Sequence, residues 1–193
     1  IGAPEPAAPV LQPWQTVPLD RQSSGLWVVA GDLTGDGAVE IVSARNVDQN
    51  DVHYTSAVVA QRLDGSVLWR LTSSIDVIYD VDALDDINDD GTPDAVLAGG
   101  DDEDRVFAVE GDSSGTGNVL WTADTGNNYC LATSEDLNDD GYKDVLAGSW
   151  GANAVIALNG YTGAILWTST ATLAPIRIVP LDDVNDDGVP DLA

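Results

Sequence analysis

The chain has 193 residues, 44% of them hydrophobic, with 33 acidic against 7 basic side chains and a formal net charge of −26. That apolar share supports a folded core and excludes a disordered acidic tail, while so negative a field repels nucleic acid and anionic membrane surfaces and favours cation binding. No apolar run is long enough to cross a bilayer as a helix, so no membrane insertion is expected.

The chain begins at Ile1 and carries no methionine, so an initiator segment such as a signal peptide is expected to have been removed or to lie outside this sequence. Residues 1–23 form a Pro/Ala-rich leader, with four of the nine prolines in residues 1–13. Residues 10–17, around Trp14, stand at a comparable distance before a loop to a strand type that recurs later, and could belong to a preceding or closing blade. Cys130 is the single cysteine and has no internal disulfide partner. In Asn128-Tyr129-Cys130-Leu131-Ala132 it is expected to pack as a small apolar residue.

From residue 24 onward the chain repeats itself. Four stretches share the pattern D-x-[NT]-x-D-G-x-x-[DE], beginning at Asp32, Asp86, Asp136 and Asp183, at intervals of 54, 50 and 47 residues. Oxygen-bearing side chains at loop positions 1, 3, 5 and 9 can converge on one point if the backbone turns sharply, which the glycine at position 6 permits, and position 7 then offers its carbonyl. The ligand sets are Asp32, Thr34, Asp36, Ala38 and Glu40; Asp86, Asn88, Asp90, Thr92 and Asp94; Asp136, Asn138, Asp140, Tyr142 and Asp144; and Asp183, Asn185, Asp187, Val189 and Asp191. All are hard oxygen donors, which suits Ca²⁺, at up to four sites, far better than Zn²⁺ or a soft metal. Asp, Asn and Gly also favour turns for their own sake, but turn preference does not require the same internal spacing four times over.

An EF-hand would need a bidentate Glu at position 12 and a helix beyond it. Ser43, Leu97 and Ala147 stand there in the first three loops, and short apolar runs follow, which read as buried strands. The EF-hand is rejected in favour of a calcium loop joining one strand to the next.

A period of about 50 residues built from short strands is that of propeller blades. The expected fold is all-β: a β-propeller of four-stranded antiparallel blades, about three and a half in this chain, with units near 24–74, 75–125, 126–170 and a partial one at 171–193. The strands expected are, in the first unit, 26–30, 40–44, 56–61 and 66–69. In the second they are 77–84, 95–98, 105–109 and 119–122, and in the third 130–134, 145–148, 154–158 and 164–168. The fourth strand of each complete unit carries Trp69, Trp121 or Trp167 at one recurring position. A ring recurring at one place in every unit is expected to wedge between neighbouring blades rather than to serve as a ligand platform.

The loops resemble the FG-GAP or VCBS repeats of integrin-α-type propellers, and the G-x-[VI]-L-W strands are similar to the quinoprotein (PQQ-like) repeat, the likeness covering residues 24–193. It implies a β-propeller with Ca²⁺ at its blade loops, used for adhesion, ligand binding or as a scaffold in secreted proteins.

The leading expectation is therefore a secreted, non-enzymatic binding, adhesion or assembly module for an extracellular protein or carbohydrate. The incomplete blade leaves an open edge that invites pairing, so the chain is either part of a longer propeller or completed by other copies in an oligomer, surface layer or filament. An enzyme built on the same scaffold, a polysaccharide lyase or quinone-dependent dehydrogenase, is the alternative. His53 is the sole histidine and reads as a solvated loop residue; no Ser/His/Asp set, zinc cluster or nucleotide-binding loop can be assembled.

Overall fold

The computed structural model describes residues 26–49, 53–72, 77–100, 104–112, 116–170, 173–186 and 191–193. The leader with Trp14, and Asp187 and Val189 of the fourth loop, lie outside the described residues. The strands among the described residues are β1 (Leu26–Gly31), β2 (Glu40–Gln49), β3 (His53–Arg62), β4 (Val67–Thr72), β5 (Val77–Leu84), β6 (Asp94–Gly100), β7 (Arg105–Val109), β8 (Val119–Asp124), β9 (Asn128–Thr133), β10 (Val145–Ser149), β11 (Ala154–Leu158) and β12 (Ile165–Thr170). They form three four-stranded sheets, β1-β2-β3-β4, β5-β6-β7-β8 and β9-β10-β11-β12, each an antiparallel meander in sequence order. The described part of the protein is all-β, and no helix long and apolar enough to cross a membrane occurs among the described residues.

The strand boundaries follow the apolar runs. Residues 77–84, 105–109 and 154–158 are strands to the residue, as expected. The first unit differs: β2 and β3 run on to Gln49 and His53, which pair across the hairpin, so His53 ends a strand instead of lying in a loop. Of the fourth unit the described residues form one bridge, between Pro180 and Leu192.

The sheets stack through their flat faces, and this explains why β6 reads as an unbroken apolar run. Ala95 and Leu97 face the first sheet, packing with Val42, Val58, Trp69 and Ile78. Val96 and Ala98, one residue out of phase, face the third sheet, packing with Leu131, Val145, Ile156 and Leu158. Alternating side chains point to opposite sides of a strand, so a strand covered on both faces cannot alternate in polarity. Beyond the third sheet, Cys130, Leu146, Val155 and Ala157 pack on Ile178. Burial pushes the Cys130 thiol up to about 11, which fits a small apolar role.

Two kinds of polar contact bind neighbouring sheets. Trp69 Nε1 donates to the Gly111 carbonyl at 2.6 Å, and Trp121 Nε1 to the Gly160 carbonyl at 2.8 Å. In each case the indole of one unit is held by the β7–β8 or β11–β12 turn of the next. Asp80 and Asp82, on β5, reach sideways to β9: Asp80 Oδ2 accepts the Leu131 N–H at 3.0 Å, and Asp82 Oδ2 accepts the Thr133 N–H at 2.9 Å and its hydroxyl at 3.1 Å. The free edge of β9 is thereby capped by side chains instead of by another strand.

Gly111 and Gly160 leave no room for a side chain: an added Cβ would lie 1.9 Å from the carbonyl oxygen of Pro93 or of Lys143. Gly111→Ala should therefore destabilise the protein by about 2 kcal/mol or more. Urea unfolding monitored by circular dichroism will read this, and a variant as stable as the parent would refute the packing described.

Candidate metal centres

Each of the first three loops leaves the first strand of its unit and ends at the head of the second. Its turn needs two left-handed residues. Position 6 supplies one, with φ of 86° at Gly37, 95° at Gly91 and 96° at Gly141. Position 4 supplies the other, with φ of 70° at Gly35, 59° at Asp89, 60° at Asp139 and 60° at Asp186. Gly, Asp and Asn tolerate this region best, which accounts for Gly or Asp at position 4 in all four copies.

The folded turn wraps around the first aspartate. Asp32 Oδ2 accepts the Gly37 N–H, Asp86 Oδ2 that of Gly91 and Asp136 Oδ2 that of Gly141, each at 2.7 Å. The other oxygen accepts the position-5 N–H at 3.0 to 3.2 Å. Position 5 in turn accepts the position-7 N–H, in Asp36, Asp90 and Asp140, at 2.8 to 3.0 Å. The Gly37 and Gly141 N–H groups hold the Asp32 and Asp136 carboxyls below the ordinary aspartate range, so both are fixed as anions on the loop.

Position 9 differs. Glu40, Asp94 and Asp144 are fully buried, and one oxygen of each accepts the position-2 N–H, from Leu33, Ile87 and Leu137, at 2.7 to 2.9 Å. Asp191 does the same for Val184 in the fourth loop, at 2.8 Å. The second oxygen of Asp94 accepts the Gly111 N–H at 2.9 Å, and that of Asp144 the Gly160 N–H at 3.0 Å. These carboxylates, expected as metal ligands, therefore also clasp the loop and the neighbouring turn to the strand. Burial pushes Asp94 up to about 6 and raises Glu40 and Asp144 in the same direction. In the first loop the clasp is incomplete: Glu40 Oε1 and Thr34 Oγ1 are buried and have no hydrogen-bond partner among the described residues. These atoms belong to positions 9 and 3, two of the expected ligands.

The second and third loops lie side by side. The Lys143 N–H donates to Asp85 at 3.0 Å, its ammonium stands 3.6 Å from the same carboxylate, and the Tyr142 hydroxyl reaches Asp89 at 3.4 Å. Asp90 is joined by Glu110 and Asp112 from the β7–β8 turn, one oxygen from each lying within 4.8 Å of the others. Glu110 and Asp112 were not among the residues expected from sequence. Their only signal is position just after a third strand, which does not show which way a turn folds.

Within the described residues of the first three loops, the first aspartate accepts the N–H groups of positions 5 and 6 and the ninth residue that of position 2, while the acidic side chains whose oxygens gather within 4.8 Å are Asp90, Glu110 and Asp112 and not the expected set of positions 1, 5 and 9 of one loop. In the fourth, Asn185 Nδ2 donates to Asp191 at 3.2 Å.

The pH dependence of Asp94 follows from its burial. Its folded-state value lies above that of the unfolded chain, so the ionised form opposes folding, and stability is lowest above about 6 and recovers as pH falls toward 4. In metal-free buffer, lowering the pH from 7 to 5 should raise the melting temperature, Asp94 alone contributing roughly 1 kcal/mol. Scanning calorimetry in chelator tests this; a flat or falling trend would contradict it.

No family model matches the chain. It is 27% identical over 177 residues to the rhamnogalacturonan endolyase YesW of Bacillus subtilis (strain 168), a match covering 80% of this chain and 27% of that protein. It is 29% identical over 151 residues to the human protein FAM234A, covering 65% of this chain and 27% of that one. The match thus spans about a quarter of either relative's length. Among solved structures, that of BBS1N in complex with ARL6DN is similar with a TM-score of 0.39 and 10% identity, over 87% of this chain and 75% of that one.

Proposed function

We propose that the chain is a calcium-stabilised β-propeller segment that works as a secreted binding, adhesion or assembly module. The observation that carries this reading is the pair of buried, unpartnered oxygens in the first loop, Thr34 Oγ1 and Glu40 Oε1, on a turn that already gathers Asp32 and Asp36. A buried oxygen without a donor is costly, and a hard cation is the partner this donor set suits. The residues that would hold Ca²⁺ are those at positions 1, 3, 5, 7 and 9 of each loop. Bound there, the ion supplies positive charge that offsets three carboxylates on one turn and ties metal binding to folding. The chain's own residues do the rest: Gly37, Gly91 and Gly141 orient the first aspartate, and the ninth residue anchors the turn to its strand.

The propeller reading is supported by the succession of like sheets, each laid face to face on the next with its first strand beside that of its neighbour. Secretion follows from the calcium reading, because extracellular calcium of roughly 0.1 to 1 mM would fill even modest loops.

A second reading, in which the ligand is a polysaccharide, is favoured by the likeness to a rhamnogalacturonan endolyase and by an aromatic row. Tyr79 stacks on Tyr129 with centroids 4.4 Å apart, and Tyr129 meets Trp150 at 5.1 Å. Trp150 is 52% exposed, and such a ring offers a face to the C–H side of a sugar. Tyr79 lies near the start of β5, at the opposite end of that strand from its calcium loop, so sugar and ion would occupy different ends of the sheets.

Chelation should lower the melting temperature by at least about 5 °C relative to saturating Ca²⁺, since each site filled at a hundredfold excess over Kd adds about 2.7 kcal/mol. An unchanged melt would defeat the calcium reading. Rhamnogalacturonan oligosaccharides should quench tryptophan fluorescence in the parent and not in Trp150→Ala; equal quenching in both would remove the aromatic row as the contact.

A further inference from the structure

One residue at the end of the third strand of each unit, the last of β3 and the first beyond β7 and β11, holds an equivalent place in all three. Arg62, Glu110 and Asn159 each come one residue after a register shift in the third-to-fourth strand ladder, at Ala60/Gln61, Ala108/Val109 and Ala157/Leu158. Each approaches the fifth-position carboxylate of its own unit's loop, but with different chemistry. Arg62 Nε lies 3.9 Å from Asp36 Oδ2. Asn159 Nδ2 hydrogen-bonds to Asp140 Oδ2. Glu110 stands with Asp112 around Asp90 and accepts a hydrogen bond from Asn88 Nδ2 at 3.2 Å. One architectural position thus carries a cation, an amide and an acid beside three otherwise matching loops.

We propose that this position sets the cation affinity of its loop, so that the loops fill in the order second, third, first. The inference rests on the calcium reading above and concerns the ranking of its sites. Affinity in oxygen-ligand loops is tuned by the number of charged ligands. At the second loop Glu110 and Asp112 add negative charge beside Asp90, which draws a divalent ion more strongly. At the third the neutral Asn159 leaves the loop's own carboxylates to set the affinity. At the first, the Arg62 guanidinium already pairs with Asp36, so an entering Ca²⁺ must displace it or bind against its charge. The unpartnered oxygens of Thr34 and Glu40 keep that loop chemically competent, which makes it a complete site held at low affinity by an internal counter-ion. As calcium varies, the second loop stays filled while the first responds.

The position-6 glycines provide a separate reporter for each loop, since each N–H donates to a first-position aspartate that would hold the ion. In a ¹⁵N-resolved NMR titration of the full chain with Ca²⁺ from the chelated state, the Gly91 amide should shift at the lowest concentration, Gly141 next and Gly37 last. Arg62→Asn should lower the Gly37 midpoint on the order of tenfold, toward that of Gly141, and leave Gly91 unmoved. Glu110→Gln should raise the Gly91 midpoint by a similar factor, and it tests the same position on another sheet should the first variant fail to fold. Three coincident midpoints in the parent, or a Gly37 midpoint that Arg62→Asn does not change, would overturn the ranking while leaving calcium binding intact. If Ca²⁺ moves none of the three amides, the calcium reading itself fails and the ranking goes with it.

Discussion

The structure turns on a carboxylate placed where solvent does not reach. Asp94, the first residue of β6, and Asp144, immediately before β10, are fully buried, and each receives two backbone N–H groups, one from its own loop and one from the turn that follows the third strand. A charge in that position is tolerable only with donors on both oxygens. The donors in turn fix where the loop and the turn must lie. The same side chain therefore locates the edge of the candidate metal site and the glycine on which the preceding unit's tryptophan rests. In a chain carrying −26, carboxylates are not surplus surface charge but the means by which backbone segments are held together.

Asp80 and Asp82 extend this use of acid groups to the seam between sheets. They present oxygens to the N–H groups of β9, an edge that would otherwise be open to another strand. Burial raises Asp80 above the ordinary aspartate range, against the hydrogen bonds from Leu131 and Val81, so the seam shares the electrostatic tension of the loops. Apolar packing supplies the rest: the central sheet is covered on both faces, whereas Leu173 and Ile176, beyond the third sheet, are 80% and 75% exposed.

Much of this was legible in the sequence, because loop and strand signals are local. The spacing of Asp, Asn and Gly within nine residues marks the turns, and the apolar runs mark the strands between them. The packing of Trp69 and Trp121 between successive sheets could be read from their recurrence. What the sequence did not disclose depends on partners far along the chain. The clasp from Asp94 to Gly111, the reach of Asp80 to Leu131 and the approach of Glu110 to Asp90 span 17 to 51 residues, and no local pattern names the partner. Position 4 of the loops is the exception. Its left-handed backbone could have been inferred from the run of Gly and Asp there, but the glycine at position 6 masked it.

The indole contacts run one way only: Trp69 lodges on the turn of the second unit, Trp121 on that of the third, and Trp167 is 36% exposed. A tandem copy of one whole repeat brings a ring and a berth together, so such an array can lengthen by gene duplication with every indole still housed. A breakpoint within a unit separates the two and leaves either a ring without a berth or a berth without a ring. Selection on such proteins should then favour gain or loss in steps of one full period.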